Sequence, residues 1–321
     1  MSELEQQKIS ENPENELSGK KKKSKKVKEK KPLWQEILSW VLTLLCAFAA
    51  AMLIRSVIFE PVRVDGESMD DTLADKEIML VSKYDYSSTW LCLPWQSDNA
   101  AQQAPRITLG NPNFLDVVIC RYPARGAVNF VKRVVGMPGD TVELREGYLY
   151  QNGEQVEEEK ELVNSDYRVK GASNGFTFGP YYVPKRGDTL TVSGNSSDLQ
   201  FLLNGEAWTR KETCLIAKDG DGKQLKIYSK NPDDSARNAR PGRTVTVISW
   251  DGKEWTADTW GEIIPTLTGK NFTVDEDYYF LMGDHRNNSN DSRSVGAVER
   301  SMIIGHVRRV VFPFGSWRGI K

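Results

Sequence analysis

Asn129-Phe130-Val131-Lys132-Arg133-Val134-Val135-Gly136 is the stretch on which the fold turns. Its apolar and β-branched residues, closed by a glycine, predict a short strand. Alternation along a strand puts Phe130, Lys132 and Val134 on one face and Val131, Arg133 and Val135 on the other. A lysine between two apolar neighbours loses hydration if that face is buried, and burial disfavours the charged ammonium. The plainer reading is a lysine that reaches water from a strand end.

Working outward, the same pattern recurs. Lys76 to Val81 and Asp116 to Tyr122 are further β-branched runs, and Met302 to Phe314, broken by His306, Arg308 and Arg309, also reads as a strand. Asn152-Gly153 and Asn204-Gly205 each follow an apolar run and predict tight hairpin turns. No long stretch of helical period follows residue 60, so the chain beyond that point is mainly β. Two regions read as additions: residues 84–113, rich in Ser, Gln, Asn and Pro with Trp90 and Trp95, and residues 151–272, polar and spaced like a small β domain set into a larger one.

Ahead of these strands, Ile37 to Ile54 runs without a charge. As a helix it spans about 27 Å, close to the ~30 Å hydrocarbon core of a bilayer. Trp34 and Trp40 suit one interface, and Arg55 can snorkel at the other end. A cleavable signal peptide is the competing reading, but its apolar region is usually shorter. Nine lysines crowd between Lys20 and Lys31. Positive charge beside a first helix stays in the cytoplasm. The expectation is a cytoplasmic tail over residues 1–33, a single anchor over 34–58 and an extracytoplasmic remainder. The tail is also suited to contact anionic lipid headgroups.

Net charge is −1 over 321 residues, so the chain outside the lysine cluster is acidic, which argues against nucleic acid as a partner. The four cysteines, 46, 92, 120 and 214, show no zinc or redox spacing. No cofactor is expected. A Cys92–Cys214 bridge stays open in an oxidising compartment.

Ser68 lies in Val64-Asp65-Gly66-Glu67-Ser68-Met69, where Gly66 permits a sharp turn. Taken alone it reads most simply as a turn serine or a helix cap. A serine can be activated without histidine if a desolvated lysine serves as base. With only two histidines in the chain, a triad through His285 or His306 has no distinguishing context. A third cluster, Gly283-Asp284-His285-Arg286-Asn287-Asn288-Ser289-Asn290-Asp291-Ser292-Arg293, is dense in turn formers and hydrogen-bonding groups. It lacks the acidic spacing and terminal Glu of a calcium loop. Asp291 and Arg293 can pair within it.

Taken in order, the anchor, Phe59-Glu60-Pro61, Gly66 to Leu73, Asp116-Val117-Val118 with Tyr122-Pro123, Lys132 to Asp140, and Gly283 to Arg293 resemble the type I signal peptidases. These are membrane-anchored Ser–Lys endopeptidases that remove signal peptides from exported proteins. The resemblance implies Ser68 as nucleophile and Lys132 as general base, with Ser289 hydrogen-bonded to Lys132. It implies an Asp291–Arg293 pair and an Asp284–Arg133 pair. Met69 would pack beside the serine, and Val64, Leu73 and Val131 would line shallow pockets for small side chains. The implied fold is a large antiparallel β catalytic domain, residues 59–150 and 273–321, with an inserted second β domain over 151–272. Precursor proteins and the lipid bilayer are the implied partners, and the cytoplasmic membrane is the implied location.

Two departures stand out. Where some relatives carry a serine two residues before the nucleophile, this chain has Gly66, so an oxyanion would rest on backbone N–H groups, chiefly that of Ser68. This version, like the single anchor, resembles Gram-positive members. Asp71 stands where the family usually has proline. Three other readings remain: an anchored non-catalytic envelope protein, a peptidase dedicated to one surface-protein or pilin pathway, and a self-cleaving Ser–Lys repressor. The last would need a DNA-binding domain, for which the lysine tail leaves no room.

Overall fold

The computed structural model describes residues 32–70, 72–89, 106–122, 128–156, 177–195, 198–230 and 244–320. The lysine cluster, Asp71, Trp90, Cys92, Trp95 and parts of both additions lie outside the described residues. The chain divides into two compact units, one up to Phe48 and one from Ala49.

Residues Leu33–Val57 form a helix. Within it, Leu33–Arg55 is long and apolar enough to cross a membrane, and none of its most apolar stretch is buried. Leu38, Trp40, Leu44, Leu45 and Leu53 are all exposed. A helix whose apolar side chains are exposed on all sides among the described residues is suited to hydrocarbon rather than to water.

The second unit is built on an eight-stranded antiparallel sheet. Its strands run Phe59–Arg63, Ile78–Ser82, Ile303–Phe312, Val117–Arg121, Asn129–Gly136, Tyr278–Met282 and Val298–Glu299, with Arg318–Gly319 pairing Ile303–Phe312 as well. Neighbours thus come from opposite ends of the sequence. Val118 lies opposite both Lys132 and His306, and Ser82 lies opposite His306. Directly opposed residues share a face, so Ser82, His306, Val118 and Lys132 form one row.

The two faces have separate cores. Val118, Cys120, Val134, Tyr279, Leu281, Val295 and Ile303 fill one, with Phe130 packed against it. Val64, Met69, Leu73, Met79, Val81, Val117, Ile119 and Val307 fill the other, with Val131 at its margin. The expected alternation in the Lys132 strand is what divides them.

Between residues 141 and 274 the chain leaves this sheet and returns. Thr141–Arg145, Tyr148–Gln151, Glu154–Gln155 and Phe178–Tyr182 make a four-stranded sheet. A second eight-stranded sheet follows, ordered Glu206–Trp208, Asp198–Leu203, Thr189–Asn195, Asn271–Val274, Leu215–Lys218, Gln224–Lys230, Val245–Trp250, Lys253–Trp255. Both Asn-Gly pairs make hairpin turns with positive φ, 55° and 86° at Asn152-Gly153 and 51° and 88° at Asn204-Gly205. A short helix, Trp260–Leu267, was not legible in the sequence. Pro265 inside it breaks the usual helical signal, and burial of Ile263, Ile264 and Leu267 holds it in place.

One core joins the three sheets. Phe280 is fully buried and packs its ring 5.3 Å from that of Phe178 and 5.2 Å from that of Tyr181. Phe280→Ala is expected to cost about 3–5 kcal/mol of stability, read as a fall in the chemical-denaturation midpoint. A loss below about 1 kcal/mol would mean that this junction is not a packed core.

Candidate active site

The Ser68 turn is held from both sides. Val64 N–H donates to Glu77 O at 2.8 Å, and Lys76 N–H returns a bond to Val64 O at 3.0 Å. Between them Gly66 adopts φ +106°, a conformation a side chain would strain, with open space around it. Its N–H donates to Asp75 Oδ1 at 3.1 Å, and that bond holds the Asp75 carboxyl below its ordinary range. Thr72 and Leu73 N–H groups both donate to Met69 O, at 3.1 and 2.8 Å. Met69 and Leu73 are buried, so the turn is fixed to the core while Ser68 itself stays half-buried.

Lys132 arrives from the strand Asn129–Gly136, which is not adjacent in the sheet to the strands flanking the Ser68 turn, and is only 2% exposed. Its Nζ lies 2.6 Å from Ser68 Oγ and donates to Val131 O at 2.8 Å. Burial lowers the Lys132 pKa. Negative charge on Cys120, Asp291 and Asp284 would oppose that fall, and Arg293 adds to it. The Cys120 thiol is itself pushed up to about 12 by burial, so at neutral pH it carries no charge to offer the lysine. An ammonium would donate to Ser68 Oγ, whereas a neutral amine at the same distance accepts the serine proton.

Behind this pair lies a buried ionic network. Arg133 donates from Nε to Asp284 Oδ1 at 2.9 Å and from Nη2 to Oδ2 at 2.8 Å, and both side chains are essentially unexposed. Arg133 Nη1 donates to Leu115 O at 2.7 Å, and Thr72 Oγ1 donates to Asp284 Oδ2 at 2.5 Å. The bidentate pair therefore ties the Lys132 strand, the turn after Ser68 and the loop at 283 together. The expected pairing of Arg133 with Asp284 is present. Thr72 and Leu115 were not anticipated: nothing local in sequence marks a threonine whose partner is 212 positions away.

The loop at 283–293 also grips the serine turn directly. His285 N–H donates to Ser68 O at 3.2 Å, its ring Nδ1 lies 3.1 Å from Glu67 O, and Asn288 Nδ2 donates to Glu67 Oε2 at 3.2 Å. A side chain at Gly283 would overlap both Ser68 O and the Ser289 side chain, so close approach requires glycine there. Asp291 accepts from Arg293 Nε at 2.9 Å and Nη2 at 2.8 Å and from Gly283 N–H at 3.1 Å. Burial opposes ionisation of Asp291, but the Arg293 guanidinium outweighs it and holds the carboxyl below its ordinary range.

Two expectations are corrected. Ser289 Oγ is buried but makes no hydrogen bond to Lys132. It lies close enough to Asp291 to favour the ionised carboxylate instead. Val64, Met69 and Leu73 are 4%, 2% and 0% exposed, so they fill the core below the serine and offer almost no open pocket wall. Of the three residues expected to line pockets, Val64, Leu73 and Val131, only Val131 is part exposed. His306 lies elsewhere, stacked on Tyr86 and 3.6 Å from both Asp85 and Asp116.

Residues 37–312 match the family described as signal peptidase, peptidase S26. The chain belongs to that family. Signal peptidases are serine endopeptidases, and the match spans both the Ser68 turn and the 283–293 loop. Signal peptidase I P of Bacillus subtilis subsp. natto is 34% identical over 161 residues, covering 50% of this chain and 74% of that one. A signal peptidase I of Bacillus amyloliquefaciens is 32% identical over 54% of this chain and 80% of its own length. That of Pseudomonas aeruginosa is 28% identical over 243 residues, 75% of this chain and 57% of that one.

Asp291 ties its charge state to stability. With its folded pKa depressed, it stabilises the protein at pH above its unfolded value, about 3.9, and that contribution fades as pH falls through the folded value. Asp291→Asn should therefore lower the thermal midpoint at pH 7 and narrow its gap to the parent below about pH 4. A gap of constant size across that range would show that the carboxylate charge is not what matters. Asp284→Ala, which strands a buried guanidinium, is expected to cost about 3–5 kcal/mol in chemical denaturation.

Proposed function

We propose that this chain is a membrane-anchored endopeptidase that removes signal peptides from exported precursor proteins, with Ser68 as nucleophile and Lys132 as general base. The observation that carries this reading is the 2.6 Å contact between Ser68 Oγ and an amine that burial drives toward its neutral form. Neutral Lys132 accepts the Ser68 proton as Oγ attacks the scissile carbonyl carbon. The resulting ammonium returns that proton to the leaving amine, and the acyl-enzyme remains. Lys132 then takes a proton from water, whose oxygen attacks the ester carbon, and returns it to Ser68 Oγ as the acyl–oxygen bond breaks and the acid product leaves. With glycine at 66, the oxyanion is left to backbone N–H groups, chiefly that of Ser68.

Support for the remaining roles is geometric. Arg133–Asp284 and Asp291–Arg293 position the strand and loop around the pair, and Ser289 packs beside Gly283. The substrate docks as an extended strand along the sheet. Val131 meets its small side chains, while Val64, Met69 and Leu73 form the floor beneath. Residues 59–150 and 273–321 make the catalytic domain, and residues 151–272 make a β domain set into it. The helix Leu33–Val57 crosses the cytoplasmic membrane once, with the basic tail inside and the remainder outside. A signal peptide is held in the same bilayer, so the anchor raises the effective concentration of enzyme and substrate.

Ser68→Ala and Lys132→Ala in the full chain should each slow processing of a secreted precursor by at least about a thousandfold. Processing by either variant at the parental rate would refute the assignment. The pH–rate profile should rise along a limb below free lysine's pKa of about 10.4. A limb at 10.4 or above would rule out a desolvated lysine base.

A further inference from the structure

The second eight-stranded sheet and its small companion sheet converge on one short segment that leads into the main-sheet strand Val298–Glu299. That segment is Val295-Gly296-Ala297, which begins with the last residue of the helical turn Ser292–Val295 capped by Asp291. Glu212 N–H donates to Val295 O at 3.0 Å. Ala297 N–H donates to the hydroxyl of Tyr181 at 3.2 Å, and that hydroxyl lies 3.3 Å from Thr213 Oγ1. Gly296 sits between these contacts at φ +88°, where a side chain would overlap Thr213 Oγ1 and crowd Arg210 O. Two independent sources of backbone constraint therefore meet at three consecutive residues.

The contacting turn is itself rigid. Buried Arg210 donates from Nη1 to Thr213 O at 2.6 Å and from Nη2 to Ser229 Oγ at 3.0 Å and Thr246 Oγ1 at 2.9 Å. These bonds anchor the 210–213 turn to two strands of the second sheet. The same region holds the strand on the other side of the site loop: Tyr278 OH donates to Cys214 O and accepts from Ile216 N–H, each at 3.0 Å. From there the constraint runs inward. Leu281 N–H donates to Ser292 Oγ at 3.0 Å, and Gly283 N–H donates to Asp291 Oδ2 at 3.1 Å. Gly283 in turn packs against Ser68 O.

We infer that the region outside the main sheet is a brace for the active-site loop, with Tyr181 and Thr213 as positioning residues that fix residues 291–297. Both flanks of the 283–291 loop are held, Tyr278 by Cys214 and Ile216 and residues 295–297 by the 210–213 turn and Tyr181, so the loop keeps the position that supports the Ser68 turn. A displacement of about 1 Å at such a site costs up to a hundredfold in rate. This inference rests on the proposed Ser–Lys chemistry only for its effect on turnover, because the mechanical link stands whichever residues react.

The test uses the full chain in lipid vesicles with a signal-peptide-bearing precursor. Tyr181→Phe and Thr213→Ala each remove one hydroxyl, and Tyr228→Phe, whose hydroxyl bonds Glu254 in the second sheet, serves as the control. The brace predicts about a tenfold lower kcat for Tyr181→Phe with KM within about twofold. It also predicts faster amide hydrogen exchange across residues 283–297 in Tyr181→Phe and Thr213→Ala, but not in the control. Unchanged exchange in that segment would overturn the brace, as would a loss of thermal stability with kcat intact. If Ser68→Ala were active, the dyad would fall while the exchange result still decided the brace.

Discussion

The Arg133–Asp284 pair is the constraint on which the site depends. It is almost entirely removed from water, and its two charges are met by two parallel hydrogen bonds, the Leu115 carbonyl and the Thr72 hydroxyl. Buried pairs of this kind add little net stability, because desolvation offsets their attraction. What they supply is geometry. A guanidinium fork and a carboxylate fit in one arrangement, and here that arrangement fixes three segments far apart in the chain. Once Arg133 is placed, Lys132 is placed on the other face of the same strand. Once Asp284 and Thr72 are placed, the Ser68 turn can move little.

The same division of faces gives the lysine its character. Arg133 lies on the side where a carboxylate is waiting, and Lys132 lies among Val118, Val134 and a protonated Cys120. Two adjacent cations therefore have opposite fates. Arg133 meets a carboxylate in a bidentate pair, and Lys132 is driven toward neutrality by its absence of hydration. Active sites often hold such costly groups, and the surrounding packing must offset them. Here the packing is the three-part core joined at Phe280, Tyr181 and Phe178.

Much of the fold could be read locally. Asn152-Gly153 and Asn204-Gly205 form turns because asparagine and glycine tolerate positive φ. Ile303–Phe312 is a strand despite three charged or titratable residues, because the alternating apolar positions carry the core face. The helix Trp260–Leu267 escaped notice because its evidence is burial of three side chains, not local preference. Thr72 escaped because its partner is set by tertiary contact. The expected Ser289–Lys132 bond fails for a similar reason: sequence brings a serine near a loop, but it does not aim the hydroxyl. Val64, Met69 and Leu73 lie in the right neighbourhood, yet their burial is a property of how the sheet closes.

By itself the sequence determined the alternating strand that sets Lys132 apart from Arg133, the glycine that lets Ser68 turn, and the apolar length that suits a bilayer. Each depends on neighbours within a few residues, where backbone geometry is fixed by covalent structure and side-chain period. Only the tertiary structure decided that Lys132 Nζ lies 2.6 Å from Ser68 Oγ and that Asp284 meets both Arg133 and Thr72. It alone decided that a turn at 210–213 reaches Val295, just beyond the 283–293 loop. Those contacts join residues separated by 64 to 212 positions, and they exist because strands from both ends of the chain pair in one sheet.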